Sequence, residues 1–229
     1  QHGLTIWTTR GFKPEGRDGK TNSHYGKTLS AVYSPDFGKT WKYQEQKLPN
    51  GLHLNEITPL QFDGSKIAFF LRNGIRHSRY GQGYSASGWF PFEFAVTNVG
   101  PVYITDTPDV IYNPVTERLE AAVPFRTRRK PLQLRMYSIA PAKLASGSSD
   151  WRFDGVLVRY RKPFGTSDGM NPVGGVVDRG AGMHRIYIWG GDAHNRSGIF
   201  QYTRSLDTEN VRAFLQKKRR TQKDRTGQR

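Results

Sequence analysis

The chain has 229 residues, with 35 Lys and Arg against 19 Asp and Glu for a net charge of +16, 13% aromatic residues, 25 Gly, 13 Pro and no cysteine. That composition belongs to a turn-rich globular chain, neither disordered nor fibrous, and it excludes a disulfide framework, a thiolate metal site and a cysteine nucleophile. No apolar run approaches 18 residues, so no membrane-spanning helix is expected.

The chain opens Gln1-His2-Gly3, with neither a methionine nor a visible signal peptide, and reads as a processed product or as part of something longer. Short runs with period-two apolar patterning follow at Leu4–Trp7, Leu29–Tyr33, Ile67–Leu71, Leu119–Val123, Val156–Val158 and Arg185–Trp189, and each reads as a strand. Turn clusters separate them at Asp63-Gly64-Ser65, Asn113-Pro114-Val115-Thr116 and Asp178–Gly182, so neighbouring strands are expected to pair as antiparallel hairpins. One helix is expected, late in the chain. Asp207 can cap it, Val211, Phe214 and Leu215 give it an apolar stripe, and the basic residues beyond suit the negative end of its dipole. The predicted class is all-β with a short C-terminal helix.

The positive charge is spread widely. Residues 217–229 hold seven basic side chains and one acid, and are expected to form a solvated basic tail (216–229) behind a folded body (1–215). The body keeps most of the excess, a field that attracts polyanions without distinguishing a nucleic acid from an acidic polysaccharide. Nucleotide binding finds no support in the three Gly-Lys-Thr triplets. The glycine a P-loop needs five residues earlier is replaced by Pro14, Thr21 and Tyr33. The six histidines show no ligand spacing, so neither metal nor cofactor is assigned.

Two segments carry more specific information. Ser34-Pro35-Asp36-Phe37-Gly38-Lys39-Thr40-Trp41 fits Ser-x-Asp-x-Gly-x-Thr-Trp at every fixed position, with weaker echoes ending at Trp89 and Trp151. In such a turn the aspartate accepts backbone N–H bonds, the glycine supplies a positive φ, and the tryptophan is expected to pack between sheets. The second segment is the hairpin around Asp63-Gly64-Ser65. A three-residue loop pairs Phe62 with Lys66 and, counting outward, sets Glu56 opposite Arg72 at the open end. Without further context that pair reads equally well as a rim salt bridge.

The eight-residue run resembles the Asp-box of sialidase-like β-propellers. The Glu56 to Arg72 hairpin is similar to the sialidase pattern in which a glutamate begins the inner strand of a blade and an arginine ends the next. The resemblance implies a six-bladed propeller, of which this chain supplies about three and a half blades. It also implies that Arg72 and Arg126, with Arg128 as an alternative to Arg126, clamp a sialic acid carboxylate through their bidentate guanidinium forks. Glu56 would then act as general base or orient a water or tyrosine. No tyrosine occurs in residues 166–173, where a sialidase would hold its nucleophile. That departure makes the chain resemble the endosialidases of bacteriophage tailspikes. By this resemblance the substrate is polysialic acid or a similar acidic capsular polysaccharide. Arg76, His77, Arg79, Tyr80 and Arg128 would line its cationic, aromatic track, further polypeptide would complete the ring, the oligomer would be a trimer, and the location would be an extracellular phage tail. A propeller that binds acidic glycans without cleaving them, and a nucleic-acid-binding propeller, are the alternatives.

Overall fold

The computed structural model describes residues 4–8, 26–34, 36–62, 64–75, 77–100, 107–127, 130–159, 171–178, 183–191 and 197–205. These form fourteen strands in four antiparallel sheets, each a meander in which neighbours in sequence are neighbours in space. The first sheet is β1 (Leu4–Thr8), β2 (Thr28–Ser34) and β3 (Lys42–Lys47). The second is β4 (Leu54–Phe62), β5 (Lys66–Asn73), β6 (Gly81–Ser85) and β7 (Glu93–Val96). The third is β8 (Asp109–Asn113), β9 (Arg118–Thr127), β10 (Lys130–Ile139) and β11 (Arg152–Arg159). The fourth is β12 (Asn171–Asp178), β13 (Met183–Gly191) and β14 (Ser197–Ser205).

The sheets stack face to face. Along β5, Ala68 and Phe70 turn into a core shared with Val110, Leu119, Ala121, Val123 and Trp151 of the third sheet and its loops. Phe69 and Leu71 turn the other way, against Leu29 of the first sheet and Leu54 and Phe92. Strand β9 behaves alike, since Leu119, Ala121 and Val123 face the second sheet while Ala122 packs with Ile186 and Ile188 of the fourth. A strand covered on both faces reads as a continuous apolar run, which explains Ala68-Phe69-Phe70-Leu71. Truncating one of these, Phe70 for example, would remove contacts that typically contribute about 3–5 kcal/mol. The leading strands also meet, β4 against β8 and β8 against β12, as inner strands of successive propeller blades do.

The register expected for the first hairpin holds near its turn, with Phe62 opposite Lys66, Ile57 opposite Leu71, and Gly64 at φ 80°. Between Leu54 and Ile57 the register shifts, so Glu56 stands on an irregularity of the strand that re-aims its side chain.

The Ser34–Trp41 run forms a closed turn. Asp36 Oδ1 accepts from Thr40 N (2.8 Å) and Ser34 Oγ (2.9 Å), Oδ2 accepts from Thr40 Oγ1 (2.7 Å), and Gly38 N donates to Ser34 Oγ (2.6 Å) at φ 103°. These bonds favour the carboxylate and lower the Asp36 pKa to about 2, the backbone N–H of Thr40 being the largest cause. The expectation for its tryptophan is corrected: Trp41 is 46% exposed, because it leads into β3, an outermost strand with almost every side chain in solvent. Trp151 does pack in the core between the second and third sheets, its Nε1 donating to Gln82 Oε1 at 2.8 Å.

A one-turn helix, α1 (Pro141–Ala145), was not foreseen. Pro141 starts it where no N–H is needed and Gly147 at φ 82° follows its end, but one turn is too short to show a period. The helix expected after Asp207 and the basic tail lie outside the described residues. Among the described residues no helix is long and apolar enough to cross a membrane.

Candidate active site

The second and third sheets are tied at the open ends of their first hairpins. Thr58 Oγ1, on β4, donates to the Pro108 carbonyl at 2.8 Å, and Thr107 Oγ1 donates to Glu56 Oε2 at 2.5 Å. Arg72, next to last in β5, donates from Nη1 to the same Glu56 oxygen at 2.7 Å. The Arg72 side chain is 17% exposed and that of Glu56 is 42% exposed. Both donors converge on Oε2, while Oε1 has no hydrogen-bond donor among the described residues. The arrangement is a partly exposed carboxylate held on one oxygen by a guanidinium and a hydroxyl. A carboxylate so placed can accept a proton from a water or hydroxyl, and a guanidinium oriented by an ion pair is suited to binding anions.

Arg126 occupies the end of β9, paired across the ladder with Pro131, at the open end of the β8–β9 hairpin. Its side chain lies outside the described residues, as do Arg76 and Arg128 altogether. His77 and Arg79 are exposed in the loop between β5 and β6, and His77 holds φ 58°, a left-handed backbone that non-glycine residues adopt rarely.

The expectation for Tyr80 is corrected. Its side chain is fully buried, the ring stacks on Phe70 at 5.4 Å, and the hydroxyl points to the Pro124 carbonyl at 3.4 Å. Tyr80 is core between two sheets and faces no substrate. A lone aromatic between a charged residue and a glycine carries no periodic signal of the side to which it turns.

Two residues of this rim escaped the sequence reading. Thr107 lies two residues before β8 and donates to Glu56, a bond that no local sequence pattern announces. Asp109 opens β8, bears no ion pair among the described residues, and is desolvated, which raises its pKa to about 6 against a weaker opposing effect of the Val110 N–H.

A second polar group lies deeper, between the third and fourth sheets. Buried Glu120 accepts from Asn113 Nδ2 and Thr116 Oγ1, both at 3.0 Å, and from Arg204 Nη2. Arg204 Nε also donates to Nδ1 of His184 at 3.0 Å. Nδ1 is thus an acceptor, the ring is neutral with its proton on Nε2, and burial followed by the Arg204 charge lowers the His184 pKa to about 3. This group locks two sheets together beside the turn of the β8–β9 hairpin, at the end away from Glu56 and Arg72. No set of three or more His, Asp or Glu side chains among the described residues is arranged to hold a metal.

No family model matches the chain, and no curated protein matches its sequence. Solved structures do. NanB in complex with Optactamide superposes with a TM-score of 0.51 at 14% identity, covering 80% of this chain and 28% of that one. A point mutant of the NanB sialidase from Streptococcus pneumoniae gives the same TM-score at 12% identity, again over 80% of this chain and 28% of the other. The fold is sialidase-like. With its four meandering sheets and adjoining inner strands, the chain is part of an all-β propeller, and it spans little more than a quarter of the length of these neighbours.

Proposed function

We propose that this chain is part of a glycoside hydrolase that cleaves polysialic acid, or a similar acidic capsular polysaccharide, within the polymer, as a bacteriophage tailspike does. The observation that carries the reading is the partly exposed Glu56 carboxylate held on one oxygen by Arg72 and Thr107 in a sialidase-like fold. In this reading Arg72 and Arg126 receive the sugar carboxylate and stabilise the charge that shifts as an oxocarbenium-like centre forms. Glu56 takes a proton from the attacking water. His77 and Arg79, with Arg76 and Arg128, extend a cationic track for a polymer bearing one carboxylate per sugar, in keeping with the +16 net charge. Further polypeptide completes the ring, and the assembly is an extracellular trimer of the phage tail.

The test is incubation of the full-length protein with polysialic acid, following reducing ends and chain length together. Internal cleavage shortens the polymer before monomer accumulates. Release of monomer alone refutes the endo-acting part, and no release refutes hydrolysis. The absence of tyrosine from residues 166–173 favours one second reading, a propeller that binds acidic glycan without turnover. Saturable binding to polysialic acid without product supports it, whereas tighter, salt-dependent binding to DNA points to a nucleic-acid partner.

A further inference from the structure

We infer that the third sheet carries a second anion subsite, apart from the Glu56–Arg72 pair, in which Arg135 receives the carboxylate of another sugar of the same polymer and Phe153 supports its ring. The inference rests on the acidic-polysaccharide reading above and adds a contact away from the scissile bond.

The ladder decides which way these side chains face. On β10, Leu134 and Met136 pack with Ile186 and Ile188 of the fourth sheet, so alternation turns Gln133, Arg135 and Tyr137 to the side of the second sheet. Their partners on β9 agree. Arg135 stands opposite Val123 and Tyr137 opposite Ala121, both in the core shared with the second sheet. Phe153, on the outermost strand β11, stands opposite Tyr137 with the rings 5.3 Å apart, and it remains 52% exposed.

The guanidinium is held in place without being neutralised. Its carbon lies 3.6 Å from the centroid of the Phe125 ring and 5.9 Å from that of Phe153, and Nε donates to Gln133 Oε1 at 2.9 Å. Stacking covers a face of the planar group and Gln133 takes Nε, which leaves the in-plane donors of both Nη groups for a further acceptor. Arg72, Arg152 and Arg204 each hold a carboxylate, those of Glu56, Asp154 and Glu120. Arg135 is oriented as firmly, and among the described residues no carboxylate pairs with it.

Both contacts draw the head group toward the rim, because Phe125 and Gln133 face each other across the ladder one residue inside Arg126. Strand β10 lies two strands outward from β8, roughly 10 Å at ordinary strand spacing. Arg135 is therefore too far out to share the sugar that Glu56 serves, and it is placed for a neighbour along the chain. Exposed Arg159, opposite Gln133 at the end of β11, adds positive charge on the same side. The in-plane donors fit a carboxylate bidentately, and the Phe153 ring offers an apolar surface to a sugar face.

The experiment compares the full-length wild type with Arg135→Met, Arg135→Lys and Phe153→Ala for affinity toward polysialic acid, read as KM if the polymer is cleaved and as Kd if it is only bound. Arg135→Met keeps an unbranched stem against Phe125 and should raise that constant about tenfold or more at an unchanged unfolding midpoint. Arg135→Lys restores the charge without the fork and should recover only part of the loss. Phe153→Ala removes a half-exposed ring, gives a reading independent of the Arg135 variants, and should raise the constant about threefold. An unchanged constant in Arg135→Met, a fall in kcat alone, or full recovery in Arg135→Lys overturns the subsite and leaves the glycosidase reading standing. Weakened binding to DNA with polysialic acid affinity intact assigns the fork to phosphate and overturns it as well. A wild type that neither cleaves nor binds polysialic acid overturns the acidic-polysaccharide reading, and this inference with it.

Discussion

Acid should act on this fold through His184. The ring is 1% exposed and neutral, and its pKa lies near 3 against about 6.5 for an unfolded histidine. Below pH 6.5 the unfolded chain therefore binds a proton that the folded chain refuses, so stability falls as pH drops through the window from 6.5 to 3. Between pH 7 and pH 5 this one group removes about 2 kcal/mol. Asp109 opposes it. Its folded pKa of about 6 lies above the unfolded value, so acidification over the same range favours the folded state, by about 1 kcal/mol. The wild-type slope alone is consequently shallow, and the informative quantity is a difference between proteins. In His184→Gln the amide oxygen can still accept from Arg204 but nothing titrates. Urea unfolding at pH 7, 6 and 5 should show the variant gaining about 2 kcal/mol on wild type as pH falls, whatever its stability at pH 7. Parallel pH dependences for the two proteins would refute the assignment of a buried neutral imidazole.

Asp109→Asn should be more stable than wild type at pH 8, by up to roughly 3 kcal/mol, because a desolvated charge is removed. The gain should vanish at pH 3, as thermal unfolding at the two pH values would show. Gly88→Ala should cost about 2 kcal/mol or more, since φ is 72° and a Cβ there would lie 2.0 Å from the Ser65 carbonyl oxygen, a backbone atom that cannot swing away. Calorimetry of the variant reads it directly. Asp36→Ala releases Ser34 and Thr40 from their turn and should lower the unfolding midpoint while leaving the specific activity of the folded fraction unchanged.

Much of the architecture was legible because blades repeat a local device. Apolar runs flanked by Gly, Pro, Asn and Asp gave the strands at Leu29–Tyr33, Ile67–Leu71, Leu119–Val123 and Arg185–Trp189, and the loop at Asp63-Gly64-Ser65 set a register that brought Glu56 to Arg72. Outer strands were harder to see. Lys42–Lys47 is polar because it faces solvent, and Gly81-Gln82-Gly83 lacks side chains that announce a strand. Gly83 is small because Phe94 occupies the space a Cβ would need, at 2.7 Å. Residues that act across sheets were invisible for a different reason. Thr107 to Glu56 spans 51 positions and Arg204 to Glu120 spans 84, and no local pattern encodes such separations. Tyr80 and Trp41 were both assigned to the wrong environment. Aromatic character alone does not decide between a core and a surface, and the deciding neighbours, Phe70 in one case and an open outer strand in the other, come from tertiary packing.

The claim on which the functional account turns is that Glu56 and Arg72 carry turnover, and the direct measurement is reducing-end release from polysialic acid by wild type, Glu56→Ala and Arg72→Lys at matched concentrations of folded protein. A partly exposed ion pair contributes only about 0 to 1 kcal/mol, so both variants should melt close to wild type. Glu56→Ala should nonetheless lose about 10²-fold or more in rate. Arg72→Lys keeps the charge without the bidentate fork and should raise KM for the polymer. Release by both variants at rates near wild type would contradict the account and reduce the pair to a salt bridge on the rim of a binding module.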